Sequence, residues 1–590
     1  MIKVSDYIIQ RIAEEGVGHI FMLPGGGCMH LVDSLGRNQR IKYVCNLHEQ
    51  ACAIAAEAYA QYTNDMGVAL VTTGPGGTNA ITGVAAAWLD STPMLVLSGQ
   101  VKRADLIGDR GVRQMGFQEL DIVRMVTGIT KYAVTVTDPL SVRFHLEKAF
   151  HLARTGRPGP VWLDIPLDVQ AATIEPDSLP RYLAERKPRQ ISEDRLAQLV
   201  DQVMAHLRVA KRPAILLGNG VRLAGAGRIF LDVTELLKVP VLTTWKALDL
   251  LPDDHPLFAG RPGAIGQRGA NFALQAADLL LVIGARLDLG QTGYNHKNFA
   301  PRAKKIIVDI DEAEINKLDM PIELPVCADA RAFLSALASH LAGHCLSDWS
   351  TWINRCQEWR RRYPVMLPEY SKFEDGISIY ALVDALSEQL SPEDLIVPGS
   401  SGACSEVTMQ AFRVKAGQRV FNSEGLGPMG FGVPAALGGC IASGGRRTVC
   451  IDGDGGFHMN LQELETIRRL ALPIKFFVLD NGGYESIRAT QRNYFDGRFT
   501  ASSPEGGLTL PPIGPVVEGY GIAYASSEKS DDLWEGVHRV LSATGPIICR
   551  VKVSSRQVTA PRISSKQLAD GTMVSTSLED MWPFLDADEL

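Results

Sequence analysis

The sequence predicts an α/β protein built from three doubly wound parallel-sheet domains. Short apolar runs alternate with helical patterns, and several runs end in glycine turns: residues 17–23 end at Pro24-Gly25-Gly26-Gly27, and residues 68–72 lead to Gly74-Pro75-Gly76-Gly77. This succession of strand, glycine turn and helix is typical of a parallel sheet covered by helices. The chain has 590 residues, which is too long for one core at roughly 150 residues per domain.

Composition shifts divide the chain into three such units with two linkers and a tail. The two predicted linkers lack periodicity; the first is rich in Pro, Arg and Glu, the second in Trp and Arg. The tail has weak periodicity, so we expect it to pack over another part of the chain as a candidate lid. The predicted segments are a first domain at 1–170, a linker at 171–190, a central domain at 191–345, a linker at 346–375, a third domain at 376–556 and the tail at 557–590.

Composition also excludes two classes of partner. The net charge of -7 provides no basic field for nucleic acid. The longest apolar runs, such as residues 279–285, fall far short of a membrane span. The first 16 residues have the pattern of an amphipathic helix and no apolar signal core, so we expect a cytoplasmic protein that contacts neither nucleic acid nor membrane.

Two apolar strands of the third domain end in residues that suit a phosphate-bound metal. Residues 449–451 lead into Asp452-Gly453-Asp454-Gly455-Gly456, and residues 474–479 lead into Asp480-Asn481-Gly482-Gly483 about one βα unit later. Open α/β sheets bind ligands at the carboxyl ends of strands, and glycines let backbone approach phosphate. Asp454, Asn481 and the carbonyl near Gly483 would offer a small hard cation its oxygen ligands. A lone Gly-Asp-Gly is more often a simple turn; the second strand end favours a site.

This pair of strand ends resembles the signature of thiamine-diphosphate-dependent enzymes. Residues 423–432 are similar to the acetohydroxyacid synthase segment that cradles the aminopyrimidine, and the resemblance covers nearly the whole chain. It implies pyrimidine-binding, central Rossmann-like and diphosphate-binding domains, with thiamine diphosphate and Mg²⁺ as cofactors. It also implies a homodimer or homotetramer with active sites between subunits, and a Met429 that lies under the cofactor and bends it.

The resemblance assigns the activating acid to Glu49. Residues 48–60 have the pattern of a small-residue helix, in which an ionised glutamate would be costly to bury without a partner. The family's glutamate bonds a pyrimidine ring nitrogen and so activates the cofactor. Glu57 is the rival, but it lies two turns deeper and is better explained as a polar face or an internal cap.

Further site residues follow from the same resemblance. Phe117 and Gln118 are expected to position the donor, and Gly26 and Gly27 to offer backbone N–H groups to developing negative charge. The expected contacts with thiamine diphosphate are Pro24, Gly25, Thr73, Gly76, Asn79, Gly402, Gly427, Met429, Gly453, Gly455, Gly456, Gly483 and Tyr484.

The central domain resembles, more loosely, the part of acetohydroxyacid synthases that holds a structural FAD. The alternative is an empty Rossmann-like domain, since several family members bind nothing or another nucleotide there. The residues expected to contact FAD are Gly218, Gly220, Gly263, Gly266, Arg286, Asp309, Ile310 and Asp329.

Three positions on the acceptor side depart from the acetohydroxyacid synthase pattern. The family's Arg-Phe-Asp-Asp-Arg reads Arg286-Leu287-Asp288-Leu289-Gly290, its Leu-Pro-Lys-Asp-Val reads Ile165-Pro166-Leu167-Asp168-Val169, and its Val-Arg-Gln-Trp-Gln reads Ile487-Arg488-Ala489-Thr490-Gln491. Gly290 and Leu167 therefore stand where the family has cations, and Thr490 where it has an indole. Arg488 and Arg113 are the obvious substitutes for the cation that a 2-keto acid acceptor needs.

These observations predict a decarboxylating carboligase that transfers an acyl unit, from pyruvate, to a carbonyl acceptor. The lost cations favour a ketone or keto-sugar over a 2-keto acid as the acceptor. Acetolactate synthase is the first alternative, and a thiamine-dependent hydrolase or lyase that cleaves a C–C bond of diketones is the second. A non-catalytic cofactor-bound subunit is the third, and the intact Glu49, Asp454 and Asn481 argue against it.

Overall fold

The described residues form three six-stranded sheets in which every pair of neighbouring strands is parallel. The computed structural model describes residues 1–184, 191–343, 346–567 and 570–586. α-Helices connect most successive strands, and 3-10 helices at Trp245–Leu250 and His296–Asn298 take their place in two connections of the central domain. The predicted α/β class with three parallel-sheet domains is confirmed.

The first domain is a doubly wound sheet near the amino terminus. Its strands are β1 (His19–Met22), β2 (Lys42–Cys45), β3 (Gly67–Val71), β4 (Met94–Gln100), β5 (Tyr132–Thr135) and β6 (Pro160–Pro166). Its helices are α1 (Val4–Glu14), α2 (Met29–Arg37), α3 (Glu49–Thr63), α4 (Pro75–Leu89), α5 (Ile122–Val126), α6 (Val142–Arg154) and α7 (Leu167–Ala171). The strands lie in the order β2-β1-β3-β4-β6-β5.

The central domain has the strand order of a dinucleotide-binding fold. Its strands are β7 (Pro213–Leu217), β8 (Val241–Thr243), β9 (Phe258–Gly260), β10 (Leu279–Ile283), β11 (Lys304–Asp309) and β12 (Leu324–Cys327). Its helices are α8 (Glu193–Val209), α9 (Gly220–Leu223), α10 (Gly227–Leu237), α11 (Arg268–Ala276), α12 (Glu312–Asn316), α13 (Ala330–Leu341) and α14 (Ser350–Arg362). The order β9-β8-β7-β10-β11-β12 reverses between β7 and β10, where such folds bind their ligand.

The third domain repeats the strand order of the first. Its strands are β13 (Leu395–Pro398), β14 (Arg419–Val420), β15 (Thr448–Gly453), β16 (Ile474–Asp480), β17 (Ala523–Ser527) and β18 (Ile547–Lys552). Its helices are α15 (Ile379–Gln389), α16 (Ala403–Ala411), α17 (Gly432–Ala442), α18 (Asp454–Met459), α19 (Glu463–Arg469), α20 (Glu485–Tyr494), α21 (Ile513–Gly519) and α22 (Leu533–Ser542). The order β14-β13-β15-β16-β18-β17 matches that of the first sheet strand for strand.

The first and third domains share one hydrophobic core. A single cluster of buried side chains runs from Phe21 and Ile54 in the first domain to Phe431 and Phe476 in the third. Helices α3 and α17, which occupy equivalent places in the two repeats, pack so closely that a Cβ on Gly438 would overlap the carbonyl oxygen of Ala55. Only glycine permits that approach of two backbones.

Buried ion pairs join the central domain to the other two. Asp249 of the central domain accepts hydrogen bonds from the guanidinium groups of Arg222 and Arg419 and from the backbone N–H of Val420. Lys246 donates to Asp90 and Gln61 of the first domain and to the carbonyl of Asn422 in the third. Because removing one partner of a buried pair leaves an uncompensated charge, these contacts fix the arrangement of the three domains.

The predicted linkers and tail contain more structure than their sequence suggested. The predicted linker 346–375 contains α14, whose Trp352 and Cys356 belong to the core of the central domain. The tail packs on the central domain, where Leu578 and Met581 join the same core; a lid role over the cofactor stays a prediction. Residues 185–190 of the first linker, 344–345 of the predicted central domain, and 568–569 and 587–590 of the tail lie outside the described residues.

The helices of the described segments are too short or too polar to act as membrane spans, so none of them is a candidate for crossing a bilayer.

Candidate cofactor and active site

The predicted metal-binding residues meet at the carboxyl edge of the third sheet. β15 and β16 are parallel neighbours, so the turn after β15 and the loop 481–483 after β16 lie side by side. Asp454, 3% exposed, starts α18, and its Oδ1 accepts the N–H of Gly455 at 2.7 Å. Its Oδ2 accepts the N–H groups of Asn481, Gly482 and Gly483 at 3.2, 2.9 and 3.1 Å. Burial raises the pKa of this carboxyl, while these N–H donors act against that shift.

The chemistry of this edge fits Mg²⁺ and a diphosphate. The carboxylate of Asp454, the amide oxygen of Asn481 and the backbone carbonyl of Gly483 are oxygen donors of the type that Mg²⁺ takes alongside phosphate oxygens and water. Within the described residues there is no cluster of three His, Cys, Asp or Glu side chains for a softer metal. A Cβ on Gly453 or Gly482 would meet no atom within 4 Å, so the backbone there is open to a ligand.

Further predicted cofactor residues surround this turn. A Cβ on Gly455 would lie 2.8 Å from Cδ1 of Tyr484 and 3.1 Å from Cε of Met429, so these two side chains border the turn. Gly402 and Gly427 have positive φ values of 70° and 62°, which favour glycine in the loops they shape. Gly456 follows in the first turn of α18.

Two unpartnered polar atoms lie at the start of residues 423–432, the segment expected to cradle the aminopyrimidine, and at Asn422 just before it. Within the described residues, Oδ1 of Asn422 and Oγ of Ser423 are buried and have no hydrogen-bond partner. Leaving such atoms unsatisfied costs about 1–3 kcal/mol each. A bound polar ring is a group that would satisfy them, so this segment fits the cofactor.

Glu49 lies at the amino end of α3, where its backbone and side chain are both ordered by neighbours. His48 caps the helix through its Nδ1, which accepts the N–H of Gln50. Glu49 is 7% exposed, and its Oε2 accepts a hydrogen bond from Nδ2 of Asn79 at 2.9 Å. Two residues of the predicted site thus contact each other directly, and sequence reasoning gave His48 no role although it is the cap.

Glu57, the rival acid, is sealed inside the structure. Its side chain is fully buried, its Oε1 accepts from Gln61, and its Oε2 has no partner within the described residues. Burial and the nearby carboxylate of Asp90 raise its pKa well above the ordinary value. This residue has no access to a cofactor, which agrees with the internal role expected for it.

The predicted oxyanion residues, Gly26 and Gly27, lie at the carboxyl edge of the first sheet. Gly26 and Gly27 form a short 3-10 turn after β1, and a Cβ on Gly27 would overlap the hydroxyl of Thr73, which follows β3. Pro24 and Gly25 precede this turn, Gly76 lies in the first turn of α4, and Asn79 lies in the next turn. A Cβ on Gly26 would meet nothing within 4 Å, so its backbone faces open space.

Phe117 and Gln118, the residues predicted to position the donor, lie in a loop that contacts the start of α4. Gln118 has a positive φ of 61°, and its carbonyl lies against Gly74 at the start of α4. Phe117 is 87% exposed at the tip of a loop that Glu119 shapes by accepting the N–H groups of Met115 and Gly116. The chain therefore does not place the Phe117 ring in a pocket of its own.

Polar contacts connect the Glu49 end of α3 to the third domain. Oε1 and Oε2 of Glu463 accept the N–H of Leu47 and the amide of Asn46. Nδ2 of Asn460 donates to Oε1 of Gln50 and to the carbonyl of Gly430, the residue after Met429. Sequence reasoning missed these connecting residues; a buried Glu463 in an otherwise regular helix gave no local signal of its partner.

Four of the residues predicted to hold FAD, Gly218, Gly220, Asp309 and Asp329, end or follow strands at the carboxyl edge of the central sheet. Gly218 and Gly220 follow β7, and Gly220 donates its N–H to the carbonyl of Gly284 after β10. Burial raises the pKa of Asp309, at the end of β11, to about 6. Asp329 caps α13 through the N–H groups of Arg331 and Ala332.

Other predicted FAD residues face the neighbouring domains or the tail. Arg286 donates to the carbonyl of Leu89 in the first domain. Gly263 and Gly266 are buried beside Ala264, whose carbonyl accepts the N–H of Ile563 in the tail. Ile310 is partly exposed after β11.

An unpartnered hydroxyl supports a ligand where the strand order of the central sheet reverses. Oγ1 of Thr243, at the end of β8, is buried without a hydrogen-bond partner among the described residues. It lies at the carboxyl edge next to β7, where doubly wound folds bind dinucleotides. The strand order, the glycine turns and this hydroxyl fit a dinucleotide in the central domain.

The three acceptor-side departures lie in three different domains. Leu167 starts α7, Gly290 follows β10 with only Oδ1 of Asp288 near its Cβ position, at 3.2 Å, and Thr490 donates to the carbonyl of Ser486 within α20. Arg488, one of the two candidate substitutes for the missing cations, binds Glu485, loop 481–483 and Ser502 through its three guanidinium nitrogens. Arg113 is exposed.

Comparisons with known proteins agree with this geometry. Three family models match the chain: the thiamine pyrophosphate (diphosphate) enzyme N-terminal TPP binding domain at residues 2–125, the central domain at 200–337 and the C-terminal TPP binding domain at 400–551. The acetolactate synthase large subunit of Cyanidium caldarium is 32% identical over 96% of this chain and 95% of its own length. Acetolactate synthase 2, chloroplastic, of Zea mays is 33% identical over 95% of this chain and 87% of its own length.

A bacterial relative gives the same result. The acetolactate synthase isozyme 1 large subunit of Escherichia coli is 31% identical over 95% of both chains. Identity of this level over nearly the full length, together with three family models in the expected order, establishes the relationship. The chain therefore belongs to the thiamine pyrophosphate enzyme family, in its acetolactate synthase-like branch, and is a thiamine-diphosphate-dependent enzyme.

Proposed function

We propose that this protein is a carboligase of the acetolactate synthase type, which decarboxylates pyruvate and joins the acetyl unit to a second pyruvate. The observation that carries the proposal is the buried Glu49, held by Asn79, in a chain whose Asp454 turn and loop 481–483 form an oxygen-rich site. The relatives that match over almost the whole chain are acetolactate synthases. They favour this alternative over the ketone or keto-sugar acceptor that the sequence suggested.

Some residues of the proposed site would hold the cofactor and its metal, and others would activate the cofactor. Asp454, Asn481 and the Gly483 carbonyl would hold Mg²⁺, and Met429 and Tyr484 would pack against the cofactor. Thiamine diphosphate, when bound, would supply a carbon nucleophile and an electron sink for the decarboxylation of the donor. Glu49 would share a proton with the pyrimidine ring, and the Asn79 amide keeps its carboxylate in position for that exchange.

We propose that a second copy of the chain completes the active site. Large apolar side chains are exposed close in sequence to the proposed site residues of both domains: Val112, Met115 and Phe117 in the first domain, and Leu426 and Ile487 in the third. Exposed apolar side chains that form a patch are typical of an interface. A homodimer or homotetramer would bury Phe117, so that it can help to position the donor.

We propose FAD as the dinucleotide of the central domain. The reversal of strand order between β7 and β10 and the unpartnered Oγ1 of Thr243 support it. The flavin would be structural, since the carboligation has no net change of oxidation state.

A second candidate function is transfer of the acyl unit to a neutral carbonyl compound. The observation that favours it is the engagement of Arg488 by Glu485 and by backbone carbonyls, which removes the nearest substitute for the cations absent at Leu167 and Gly290. A carboxylate acceptor would then lack a forked anchor. A neutral acceptor needs hydrogen bonds and space but no cation.

A competition assay separates the two candidates. The protein, loaded with Mg²⁺ and thiamine diphosphate, receives labelled pyruvate together with 2-ketobutyrate and 2,3-butanedione, acceptors of similar size that differ in charge. If the proposed function holds, 2-keto acid acceptors win in kcat/KM. A clear preference for the diketone replaces the first candidate by the second, and absence of carbon dioxide release from pyruvate contradicts both.

A further inference from the structure

Arg488 lies next to the proposed metal site and donates hydrogen bonds through all three of its guanidinium nitrogens. It lies in the first turn of α20, with a side chain that is 11% exposed. Its Nη2 donates to the backbone carbonyl of Asn481 at 2.8 Å and to the Asn481 amide oxygen at 3.3 Å. Its Nη1 donates to the carbonyls of Gly482 and Ser502 at 3.2 and 3.1 Å. The guanidinium therefore binds the carbonyls of two consecutive residues of one loop and is not directed to solvent.

Loop 481–483 depends on contacts with other segments for a fixed conformation, because its two glycines restrict the backbone little. Gly482 and Gly483 have φ values of 71° and 137°, a region in which glycine has large conformational freedom. The N–H groups of the loop point to the carboxylate of Asp454, and its carbonyls at Asn481 and Gly482 point to Arg488. The carboxylate of Asp454 thus binds the hydrogen-bond donors of the loop, and the guanidinium of Arg488 binds its hydrogen-bond acceptors, so that the loop is held between two opposite charges.

The contact with the Asn481 side chain also sets the orientation of a proposed metal ligand. A guanidinium only donates hydrogen bonds, so it selects the oxygen and not the nitrogen of the amide. Outer contacts of this kind orient metal ligands. The carboxylate of Glu485 lies 2.6 Å from Nε of Arg488 and compensates the charge of the guanidinium. Arg488 therefore adds little repulsion toward Mg²⁺.

The side chain of Arg488 also connects loop 481–483 to segment 497–508. The Ser502 carbonyl accepts both Arg488 and the N–H of Tyr484. A Cβ on Gly483 would lie 2.6 Å from that carbonyl oxygen, so loop and segment are in direct contact. Oγ of Ser502 donates to Gln491 of α20, which closes the link back to the helix.

We propose that Arg488 is a positioning residue that orders loop 481–483 for Mg²⁺ and couples segment 497–508 to metal binding. This role rests on the proposed function only in that the metal is the one that accompanies the cofactor. It assigns Arg488 to the metal loop and not to the acceptor, which the sequence alone left open. Arg488 touches neither substrate nor reacting atoms in this account.

The test measures metal binding without turnover. Arg488→Met removes the donors and keeps the length of the side chain, while Arg488→Lys keeps the charge but loses the fork. Arg492→Met is the matched control, since Arg492 lies one turn later, is more exposed and also binds Glu485. The apparent affinity for Mg²⁺ is measured by calorimetry at saturating thiamine diphosphate, and amide exchange is followed in loop 481–483 and segment 497–508.

We expect Arg488→Met to weaken Mg²⁺ binding by about 10–100-fold and to speed exchange in both segments, and Arg492→Met to leave both unchanged. Equal affinity and equal exchange in Arg488→Met overturn the inference while the wild type still binds metal. A wild type that binds no Mg²⁺ with thiamine diphosphate contradicts the proposed function instead. If Arg488→Met does not fold, Arg488→Lys provides the test. Weaker Mg²⁺ binding in Arg488→Lys supports the positioning role, and wild-type affinity overturns it.

Discussion

The contact between α3 and α17 gives a prediction whose size follows from the backbone geometry. A Cβ on Gly438 would overlap the carbonyl oxygen of Ala55 and lie 2.8 Å from its carbonyl carbon and its Cα. All three are backbone atoms that cannot rotate away, so Gly438→Ala forces the two helices apart by about 1 Å, and overpacking of this kind costs roughly 1–3 kcal/mol. A domain of this size should then unfold at a temperature roughly 2–12 °C lower.

The effect on catalysis should exceed the effect on stability. α3 carries Glu49 at its amino end, and α17 follows the Met429 segment, so separation of the helices misplaces the acid relative to the proposed cofactor cradle. A misplacement of about 1 Å can cost roughly 10²-fold in rate. The assay compares the thermal unfolding midpoint and kcat of Gly438→Ala with those of the wild type.

Gly36→Ala is the control for this experiment. Gly36 lies in α2, and a Cβ there would meet nothing within 4 Å, so alanine should stabilise the helix by roughly 0.5–1 kcal/mol. If Gly438→Ala unfolds at the wild-type temperature and keeps the wild-type kcat, the close packing of the two repeats is refuted.

Four further outcomes are expected. Glu49→Gln should keep the fold and cofactor binding, since Asn79 can still donate to the amide oxygen, but kcat should fall by roughly 10²–10⁴-fold; wild-type turnover in this variant would remove Glu49 from its role. Asp454→Ala should weaken thiamine diphosphate binding and raise the Mg²⁺ requirement, because a ligand and a charge are lost; unchanged affinity in a titration would mean that the turn is only a turn. The purified protein should be yellow and release FAD on denaturation, whereas a colourless, fully active protein would rule FAD out. Burial raises the pKa of Asp164 from 3.8 to about 7, so the folded state favours its neutral form, and stability is lost progressively as pH rises from about 4 to about 7. Between about pH 5 and pH 7 the unfolding temperature should therefore fall less in Asp164→Asn than in the wild type, and equal falls would contradict the shift.

Local patterns were sufficient to predict the fold class and the neighbourhood of Asp454. The strands before Asp454 and Asn481 are continuous apolar runs, and the helix between them fits a parallel crossover, so their adjacency followed from chain order. Trp352, Cys356 and Trp359 recur at the spacing of helix α14, but a segment rich in Trp and Arg without strand signals gave no reason to predict a helix there.

Long-range contacts were beyond sequence reasoning. The bonds from Asn46 and Leu47 to Glu463 join residues more than 400 positions apart, and no local pattern marks them. The same limit applies to Arg488, whose partners at Asn481 and Ser502 become visible only when α20 folds back over the loop. Buried polar contacts of this kind depend on tertiary packing, which propensity and periodicity do not encode.

The most direct test of the account measures the products of pyruvate alone. The protein is incubated with Mg²⁺, thiamine diphosphate and pyruvate, and acetolactate and carbon dioxide are quantified against a Glu49→Gln preparation as background. The account predicts one carbon dioxide released per acetolactate formed, with both dependent on thiamine diphosphate. Carbon dioxide release that yields only acetaldehyde, or pyruvate that stays unconsumed, would contradict it.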